Sequence, residues 1–290
     1  MATITYSAPR SVDEAVHALR GANGAARVLA GGTDLLVQLR SGRAKPEVIV
    51  DIKRIPRLIG VRAHGGGHAI GAATPCAVIG EDPDLQKAWP GVVEATRLIG
   101  STQVQGRATL AGNLCNASPA ADSVPAMIAA QATCVVAGPG GLREVPVEAI
   151  ATGPGQTSLS RGEFIVEFHL PRRPPYAADA YLRFIPRTEM DIAVVGAAAN
   201  VTLDAKGVCR EARIVLGAVA PTALLVPEAA AVLIGRRLED DALSQLDAAV
   251  RRACRPISDK RGTIEFRTRV AGVLARRAAS IAFQRARDRA

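Results

Sequence analysis

The sequence predicts an α+β protein built from two parts. Near its start, strand-like and helix-like runs alternate in the order β-α-β, which is typical of a parallel sheet. Further on, two β-branched runs over 192–203 and 208–219 are joined by Asp204-Ala205-Lys206-Gly207, a composition typical of a hairpin turn. Three helix-like runs follow, near residues 226–234, 239–253 and 263–286. Strands followed by helices predict a separate α+β domain.

Length and composition fit a globular protein of about two domains. The chain has 290 residues, of which 48% are hydrophobic, 22% are charged and only 3% are aromatic. The core is therefore expected to consist mostly of Ala, Val, Leu and Ile. No apolar run reaches the ~20 residues of a membrane-spanning helix, and the first residues lack the pattern of a signal peptide. We expect a cytoplasmic protein without a transmembrane segment.

The cysteines and histidines do not form a recognisable metal or catalytic motif. The five cysteines are far apart and none belongs to a C-x-x-C pair, which argues against a zinc or iron–sulfur site on this chain and against a disulfide scaffold. His64 and His68 flank a glycine turn with no third ligand nearby, so we expect surface histidines. No Ser–His–Asp pattern is evident. The sequence predicts no catalytic residue and no metal site.

The net charge of +9 raises the possibility of a nucleic-acid partner. Many of the arginines, however, lie after residue 250 and alternate with apolar residues at helical spacing, as on the solvated faces of helices. Only Phe266 and Phe283 could stack on bases in that region. We therefore predict no nucleic-acid binding.

Local signals place further elements along the chain. A short edge strand is expected over 3–6, and Ser11 with Glu14 three residues later predicts a capping box. Ala26–Leu29 predicts a strand, followed by a helix that begins near Leu35 and ends at Ser41-Gly42. The remaining predictions are strands over 48–52, 58–61, 68–73 and 164–170, helices over 74–82 and 92–99, a hairpin of 132–136 with 142–146, and a linker over 171–175.

The stretch LAGGTDLL, residues 29–36, is the first candidate binding loop. It joins the predicted strand to the predicted helix through Gly31 and Gly32, and glycine allows positive φ and close approach of a ligand. Thr33 and Asp34 are good N-cap residues. Backbone N–H groups in such a turn suit a phosphate or pyrophosphate. The alternative is a plain strand-to-helix turn with a capped helix.

The second candidate is the segment from Ile99 to Asp122, which is rich in small and polar residues. A long segment of this kind in a compact domain is more often a functional loop than a simple connection. Thr109, Asn113 and Ser118 offer hydroxyl and amide groups. Asp122 offers a carboxylate for vicinal hydroxyls of a ribose or ribityl chain, or alternatively an N-cap for a helix over 123–131. Cys115 is expected to be a small packed side chain.

Together, AGGTDLL (30–36), TLAGN (109–113) and ASPAAD (117–122) closely resemble the flavin-binding subunit of molybdenum hydroxylases. This group includes the medium subunit of aerobic carbon monoxide dehydrogenase, the flavin subunit of hydroxybenzoyl-CoA reductase and the middle segment of xanthine dehydrogenase. The resemblance covers nearly the whole chain. It implies a two-part FAD-binding domain of the PCMH type over 1–175, with subdomains of about 1–55 and 56–175. A small α+β C-terminal domain with an antiparallel sheet and helices would occupy 176–290.

The resemblance also implies which residues bind FAD. These are Leu29, Ala30, Gly31, Gly32, Thr33, Asp34, Leu35, Ile99, Ala108, Thr109, Ala111, Gly112, Asn113, Asn116, Asp122, Ile165 and Arg183. Residues 29–36 would cradle the pyrophosphate, and Thr109 with Gly112-Asn113 would form the facing loop. Asp122 would bind the sugar part of the adenosine half.

Three other positions would lie near the cofactor, and two positions depart from the family pattern. Ile99 and Ile165 would be apolar neighbours of the flavin, and Arg183 would be a basic group near the cofactor. Ala111 stands where many members have glycine, which limits backbone freedom in the facing loop. Gln105-Gly106 stands where an Arg-Asn pair is common.

The implied function is that of a redox subunit in a heteromeric molybdenum hydroxylase or dehydrogenase. It would hold FAD, accept electrons from the [2Fe–2S] clusters of a small partner subunit and pass them to an external acceptor. The molybdenum cofactor would lie on a large partner subunit, and the complex would be a dimer of heterotrimers. The alternatives are a stand-alone FAD-dependent oxidase acting on its own small substrate, and a non-enzymatic nucleotide- or nucleic-acid-binding module.

Overall fold

The computed structural model describes residues 4–22 and 25–289, and its first part is a small parallel sheet. The elements are β1 (Thr5–Ser7), α1 (Val12–Gly21), β2 (Ala26–Leu29), α2 (Leu35–Arg40) and β3 (Val48–Asp51). The strands pair in the order β1-β3-β2, and both pairings are parallel. The predicted β-α-β opening is confirmed, with β1 at an edge; residue 3 of its predicted range lies outside the described residues.

The predicted cap of α1 is present in a modified form. The Ser11 hydroxyl accepts a hydrogen bond from the N–H of Glu14 at 3.2 Å. The Glu14 carboxylate, however, accepts from the N–H of Arg10 at 2.8 Å rather than from that of Ser11. The first turn of the helix therefore has both bonds of a capping box, but the second bond goes to the residue before the N-cap.

The second part is a five-stranded antiparallel sheet with short helices. Two 3₁₀ turns, Ile52–Arg54 and Pro56–Leu58, lead into it. Its strands are β4 (Val61–His64), β5 (Gly67–Gly71), β6 (Thr133–Gly138), β7 (Gly141–Pro146) and, after the small pair β8 (Ala151–Gly153) and β9 (Gln156–Thr157), β10 (Phe164–Leu170). The order is β4-β5-β10-β6-β7.

Six helices lie between β5 and β6. They are α3 (Cys76–Glu81), α4 (Pro83–Ala88), α5 (Pro90–Arg97), α6 (Thr102–Gln105), α7 (Leu110–Cys115) and α8 (Ser123–Ala129). The predicted hairpin and the strand over 164–170 are correct. Two predictions need correction. The strand expected from Leu58 begins only at Val61, because Leu58 ends a 3₁₀ turn. The segment from Ile99 to Asp122 is not one loop, since it contains α6 and α7.

The third part is a four-stranded antiparallel sheet followed by three helices. It consists of β11 (Ala177–Phe184), β12 (Val195–Leu203), β13 (Cys209–Gly217), β14 (Leu224–Leu225), α9 (Pro227–Leu233), α10 (Asp240–Ala253) and α11 (Ile264–Arg287). The strands are ordered as numbered. The predicted hairpin and all three helices are confirmed. The strand β11 was not predicted, because Ala-Ala-Asp-Ala lacks the β-branched residues that favour a strand.

The third sheet is covered on both faces. Buried alanines such as Ala275 and Ala282 on α11 pack with Ala197 on β12, and these small side chains let helix and sheet approach closely. On the other face, Tyr181 and Val215 share a core with residues of α5, α7 and α8. This second contact joins the last sheet to helices that lie before, within and after the second candidate loop.

A buried ion pair reinforces this junction. Arg173 lies in the irregular segment between β10 and β11, and its guanidinium donates to Asp179 at 2.6 Å. The same guanidinium stacks on the ring of Trp89 at 3.5 Å, and Trp89 is the C-cap of α4. No helix in the described part of the chain has the length and apolar character of a membrane-spanning segment.

Candidate cofactor site

A cavity of about 590 Å³ lies where β2, α7 and β10 meet. Three segments form its walls: the turn after β2, the residues from Ala108 to Asn116, and the segment from Gly155 to Ile165. It brings together most of the predicted cofactor residues, namely Ala30, Gly31, Gly32, Thr33, Asp34, Leu35, Ile99, Ala108, Thr109, Ala111, Gly112, Asn113, Asn116 and Ile165. The two candidate loops, far apart in sequence, therefore face one concave space, as is usual for a cofactor site.

The first loop requires its glycines. A Cβ on Gly31 would lie 2.1 Å from the carbonyl oxygen of Arg107, so the loop touches the backbone of the second wall. Gly32 has a φ of 80°, which side chains rarely tolerate. In the helix that follows, the first main-chain hydrogen bond is donated by the N–H of Leu36 to the carbonyl oxygen of Gly32 at 3.0 Å. The N–H groups before Leu36 have no intrahelical acceptor and can serve a ligand.

The second loop is held by side-chain caps. The Thr109 hydroxyl accepts from the N–H of Gly112 at 3.0 Å and so caps α7. The Asn113 carbonyl oxygen accepts from the hydroxyl of Ser123 at 2.7 Å and from its N–H at 3.3 Å, which ties α7 to α8. Ala111 lies inside α7, and its φ is not positive, so its backbone conformation does not require glycine. Its departure from glycine is therefore compatible with the loop geometry.

Asp34 is a carboxyl group in the cavity wall. It precedes α2, but its side chain makes no capping hydrogen bond, contrary to the N-cap role expected of it. Burial raises the pKa of its carboxyl group above the ordinary value. A carboxylate next to a phosphate would be repelled, so Asp34 is better suited to a hydroxyl or N–H donor.

The third wall was missed by the sequence analysis. It comprises Gly155, Thr157, Leu159, Ser160, Arg161, Gly162, Glu163, Phe164 and Ile165, of which only Ile165 was predicted. Glu163 is fixed there by two bonds from the Arg143 guanidinium, each 2.8 Å, and by the N–H of Ser160 at 2.7 Å. The signal was present in the composition, because residues 153–162 are as rich in small and polar residues as the second loop.

Three predicted residues do not line the cavity: Leu29, Asp122 and Arg183. The Leu29 side chain instead packs beside Gly32: its Cδ1 lies 2.9 Å from where a Cβ on Gly32 would stand. Asp122 does not cap α8 with its side chain. Its carboxylate accepts from the Arg183 guanidinium at 2.7 Å and from the Tyr181 hydroxyl at 3.2 Å.

This buried pair has an unusual electrostatic balance. Burial raises the pKa of Asp122 to about 6, although the charge of Arg183 and the hydrogen bonds from Arg183 and Tyr181 act to lower it. The Arg183 guanidinium also donates to the carbonyl oxygen of Leu98 at 2.7 Å. The pair is thus connected to the residue that precedes Ile99, and Ile99 lines the cavity.

The remaining cysteine and histidine side chains considered in the sequence show no catalytic or metal-binding arrangement among the described residues. Cys115 lines the cavity, and burial raises the pKa of its thiol to about 12, so it is not a reactive thiolate. His64 is exposed and stacks on His169 with ring centroids 4.0 Å apart, whereas His68 is half-buried. Within residues 4–22 and 25–289, no group of three or more His, Cys, Asp or Glu is arranged to hold a metal ion.

Comparison with known families identifies the class of protein to which this fold and this cavity belong, a flavoprotein component of molybdenum-containing enzymes. Residues 2–173 match the FAD binding domain in molybdopterin dehydrogenase, and residues 180–282 match the CO dehydrogenase flavoprotein C-terminal domain. The chain belongs to this family of FAD-binding subunits. The family resemblance, the α+β fold, the assignment to oxidoreductase subunits and FAD as the cofactor are thereby confirmed.

Individual relatives span nearly the whole chain. The carbon monoxide dehydrogenase medium chain of Hydrogenophaga pseudoflava is 34% identical over 280 residues, which are 97% of each protein. The xanthine dehydrogenase FAD-binding subunit of Escherichia coli is 33% identical and covers 91% of this chain and 90% of its own. Among solved structures, carbon monoxide dehydrogenase from Hydrogenophaga pseudoflava superposes with a TM-score of 0.93 at 35% identity, covering 97% of this chain and 98% of that one.

Proposed function

We propose that this chain is the FAD-binding electron-transfer subunit of a heteromeric molybdenum hydroxylase or dehydrogenase. Bound FAD would supply the redox chemistry, taking electrons from [2Fe–2S] clusters on a small partner subunit and giving them to an external acceptor. Substrate would react at the molybdenum cofactor of a large partner subunit. The carbon monoxide dehydrogenase medium chains among the relatives support this division of labour, because a medium chain implies a larger and a smaller one.

The observation that carries the proposal is the meeting of the two glycine-containing loops in one cavity. Gly31 lets the first loop pack against the backbone of Arg107, and Gly32 supplies the positive φ of the turn. The N–H groups of this turn that lack an intrahelical acceptor would hold the pyrophosphate. Thr109 holds the opposite loop through its cap on Gly112. These residues would bind and orient the cofactor. Among the described residues, no histidine lines the cavity, and burial raises the pKa of the Cys115 thiol to about 12, so that it stays protonated.

Other predicted residues receive proposed roles from their positions. Ile99 and Ile165 are buried apolar side chains in the cavity wall and would exclude water from the flavin. Asp34 would accept a hydrogen bond from a hydroxyl of the cofactor. Asp122 would bind the sugar part of the adenosine half, and Arg183 would lie near the cofactor. Both roles require the 2.7 Å ion pair between them to open or rearrange when FAD binds.

The wider organisation is also proposed. The FAD-binding domain would comprise residues 1–175, with subdomains of about 1–55 and 56–175, and the C-terminal domain residues 176–290. The complex would be a dimer of heterotrimers in the cytoplasm. The relatives support a multi-subunit assembly, since one is a subunit of the 6-hydroxypseudooxynicotine dehydrogenase complex of Paenarthrobacter nicotinovorans.

The test is a visible absorption spectrum of the chain purified from its host with a mild affinity tag. We expect flavin bands, flavin release on denaturation, and iron and molybdenum in chains that co-purify. A colourless protein that takes up no added FAD would contradict the proposal. Flavin without iron, molybdenum or partner chains, together with oxygen consumption on a small substrate, would instead support the stand-alone oxidase.

A further inference from the structure

The third wall of the cofactor cavity contains a stretch without helix or strand. It comprises residues 158–163, between β9 and β10, and most of these residues line the cavity. At its start, the N–H of Ser158 donates to the oxygen of Ile150 at 2.8 Å. Further on, the N–H of Glu163 donates to the oxygen of Ser160 at 3.0 Å, which closes a local turn. A local turn does not fix its own distance from the other walls, so the position of this turn depends on contacts with other elements.

The Glu163 side chain makes such a contact with the sheet. Its two carboxylate oxygens accept hydrogen bonds of 2.8 Å each from the Arg143 guanidinium, and one of them also accepts from the N–H of Ser160 at 2.7 Å. Two-point pairing of arginine with a carboxylate is both stronger and more directional than a single bond. Because Arg143 belongs to β7, the pair connects the irregular stretch of the wall to a regular strand.

The surrounding sheet is shaped to receive this pair. The strand register places Arg143 beside Val136, and Val136 beside Ile165, which lines the cavity. A Cβ on Gly138 would lie 2.7 Å from Cγ of Glu163, so glycine stands where the glutamate side chain passes the hairpin of β6 and β7. The Glu163 side chain is 13% exposed. Its position is therefore defined by packing as well as by charge.

We propose that Glu163 and Arg143 are positioning residues for the cofactor, whose ion pair holds the third wall at the distance from the other two walls that bound FAD requires. This inference rests on the proposed function. Residues that contact a ligand bind it tightly only when residues behind them keep them in place. Arg143 also neutralises a carboxylate in the wall of a cavity that would receive the negatively charged pyrophosphate.

The experiment measures how firmly FAD is held by the protein purified through a tag on this chain, with the partner chains that it retains. Release of FAD on dilution is followed by the fluorescence of the free flavin. Glu163→Gln keeps the size of the side chain and removes its charge, and we expect FAD to be held about tenfold more weakly. Arg143→Gln removes the same bonds from the exposed side of the pair and should have a similar effect.

A matched control is available in the turn between β12 and β13. Asp204 likewise accepts hydrogen bonds from a backbone N–H and from an arginine, in this case Lys206 and Arg210, and it does not line the cavity. Asp204→Asn makes the same chemical change as Glu163→Gln. We expect this variant to hold FAD as firmly as the unmodified protein does.

Two further variants distinguish positioning through this pair from a general loss of stability. Arg143→Lys keeps the positive charge and can donate one of the two bonds, so it should hold FAD more firmly than Arg143→Gln does. The double variant with Glu163→Gln and Arg143→Gln should hold FAD no more weakly than the weaker single variant, because both changes remove one interaction.

The outcomes separate this inference from the proposed function. If the unmodified protein contains FAD and both single variants hold it equally well, the positioning role is wrong and the proposed function stands. The same conclusion follows if Asp204→Asn loses as much FAD, or if the effects of the two single variants add in the double variant. If Glu163→Gln does not fold, the comparison of Arg143→Gln with Arg143→Lys decides. An unmodified protein that contains no FAD and takes up none would show that both proposals are wrong.

Discussion

Gln38 donates a hydrogen bond of 3.1 Å to the side-chain oxygen of Asn116, across the cavity and 78 residues away in sequence. Gln38 belongs to α2, and Asn116 is the C-cap of α7. Both side chains line the cavity. This bond therefore links the two walls that carry the glycine-containing loops and helps to set the distance between them.

Replacement of Gln38 by alanine should weaken FAD binding. The lost hydrogen bond is worth about 1 kcal/mol, so we expect the Kd for FAD to rise about fivefold. The measurement is titration of the apoprotein with FAD, followed by flavin fluorescence. Gln245→Ala is the control, because Gln245 makes a comparable side-chain bond to Asp241 on the exposed face of α10. Equal affinities of both variants for FAD would show that the bond between Gln38 and Asn116 does not affect the shape of the cavity.

Gly31→Ala should damage the site more severely. The new methyl group would lie 2.1 Å from the Arg107 carbonyl oxygen, and a backbone atom cannot move aside as a flexible side chain can. Overpacking of this kind costs about 1–3 kcal/mol, and separation of the loops should abolish FAD retention. Urea denaturation and bound flavin per chain are the measurements. Gly21→Ala serves as control, since a Cβ there meets nothing within 4 Å; a stable, flavin-loaded Gly31→Ala protein would contradict the prediction.

The Asp122 carboxyl group should make stability depend on pH in a defined direction. Burial raises its pKa from 3.8 to about 6, so the folded protein holds this proton more tightly than the unfolded chain. The corresponding stabilisation, about 3 kcal/mol, is fully present below pH ~3.8 and is lost as the pH rises through ~6. The unfolding free energy of the wild type minus that of Asp122→Asn should therefore fall by up to about 3 kcal/mol from pH 4 to 7, because asparagine does not titrate. Parallel curves for the two proteins would refute this.

Arg173→Ala should destabilise the junction between β10 and β11. It leaves Asp179, which is fully enclosed, without its 2.6 Å cationic partner. Loss of one member of a buried pair costs about 3–5 kcal/mol. Because Trp89 is the single tryptophan and stacks on Arg173, its fluorescence should change in the folded variant and report the unfolding in urea. Arg210→Ala, which breaks an exposed pair, should leave the urea midpoint unchanged.

Much of the fold could be predicted because its signals are local. The cap at Ser11, the glycine turn after β2, the hairpin of β6 with β7 and the three last helices each depend on neighbouring residues. The strand β11 was missed, since its alanines form a strand only through pairing with β12 over eight registered residues. The helices α6 and α7 were missed within the second loop because their residue types also suit turns.

The sequence by itself determined the family, the α+β class and the two loops that meet in the cavity, because short motifs specify local backbone conformation. The tertiary structure alone decided what lies between them. It added the wall from Gly155 to Ile165, the bond between Gln38 and Asn116, and the pairing of Asp122 with Arg183 away from the cavity lining. These are contacts between residues far apart in the chain. They depend on how the sheets and helices pack, which no local pattern of residues encodes.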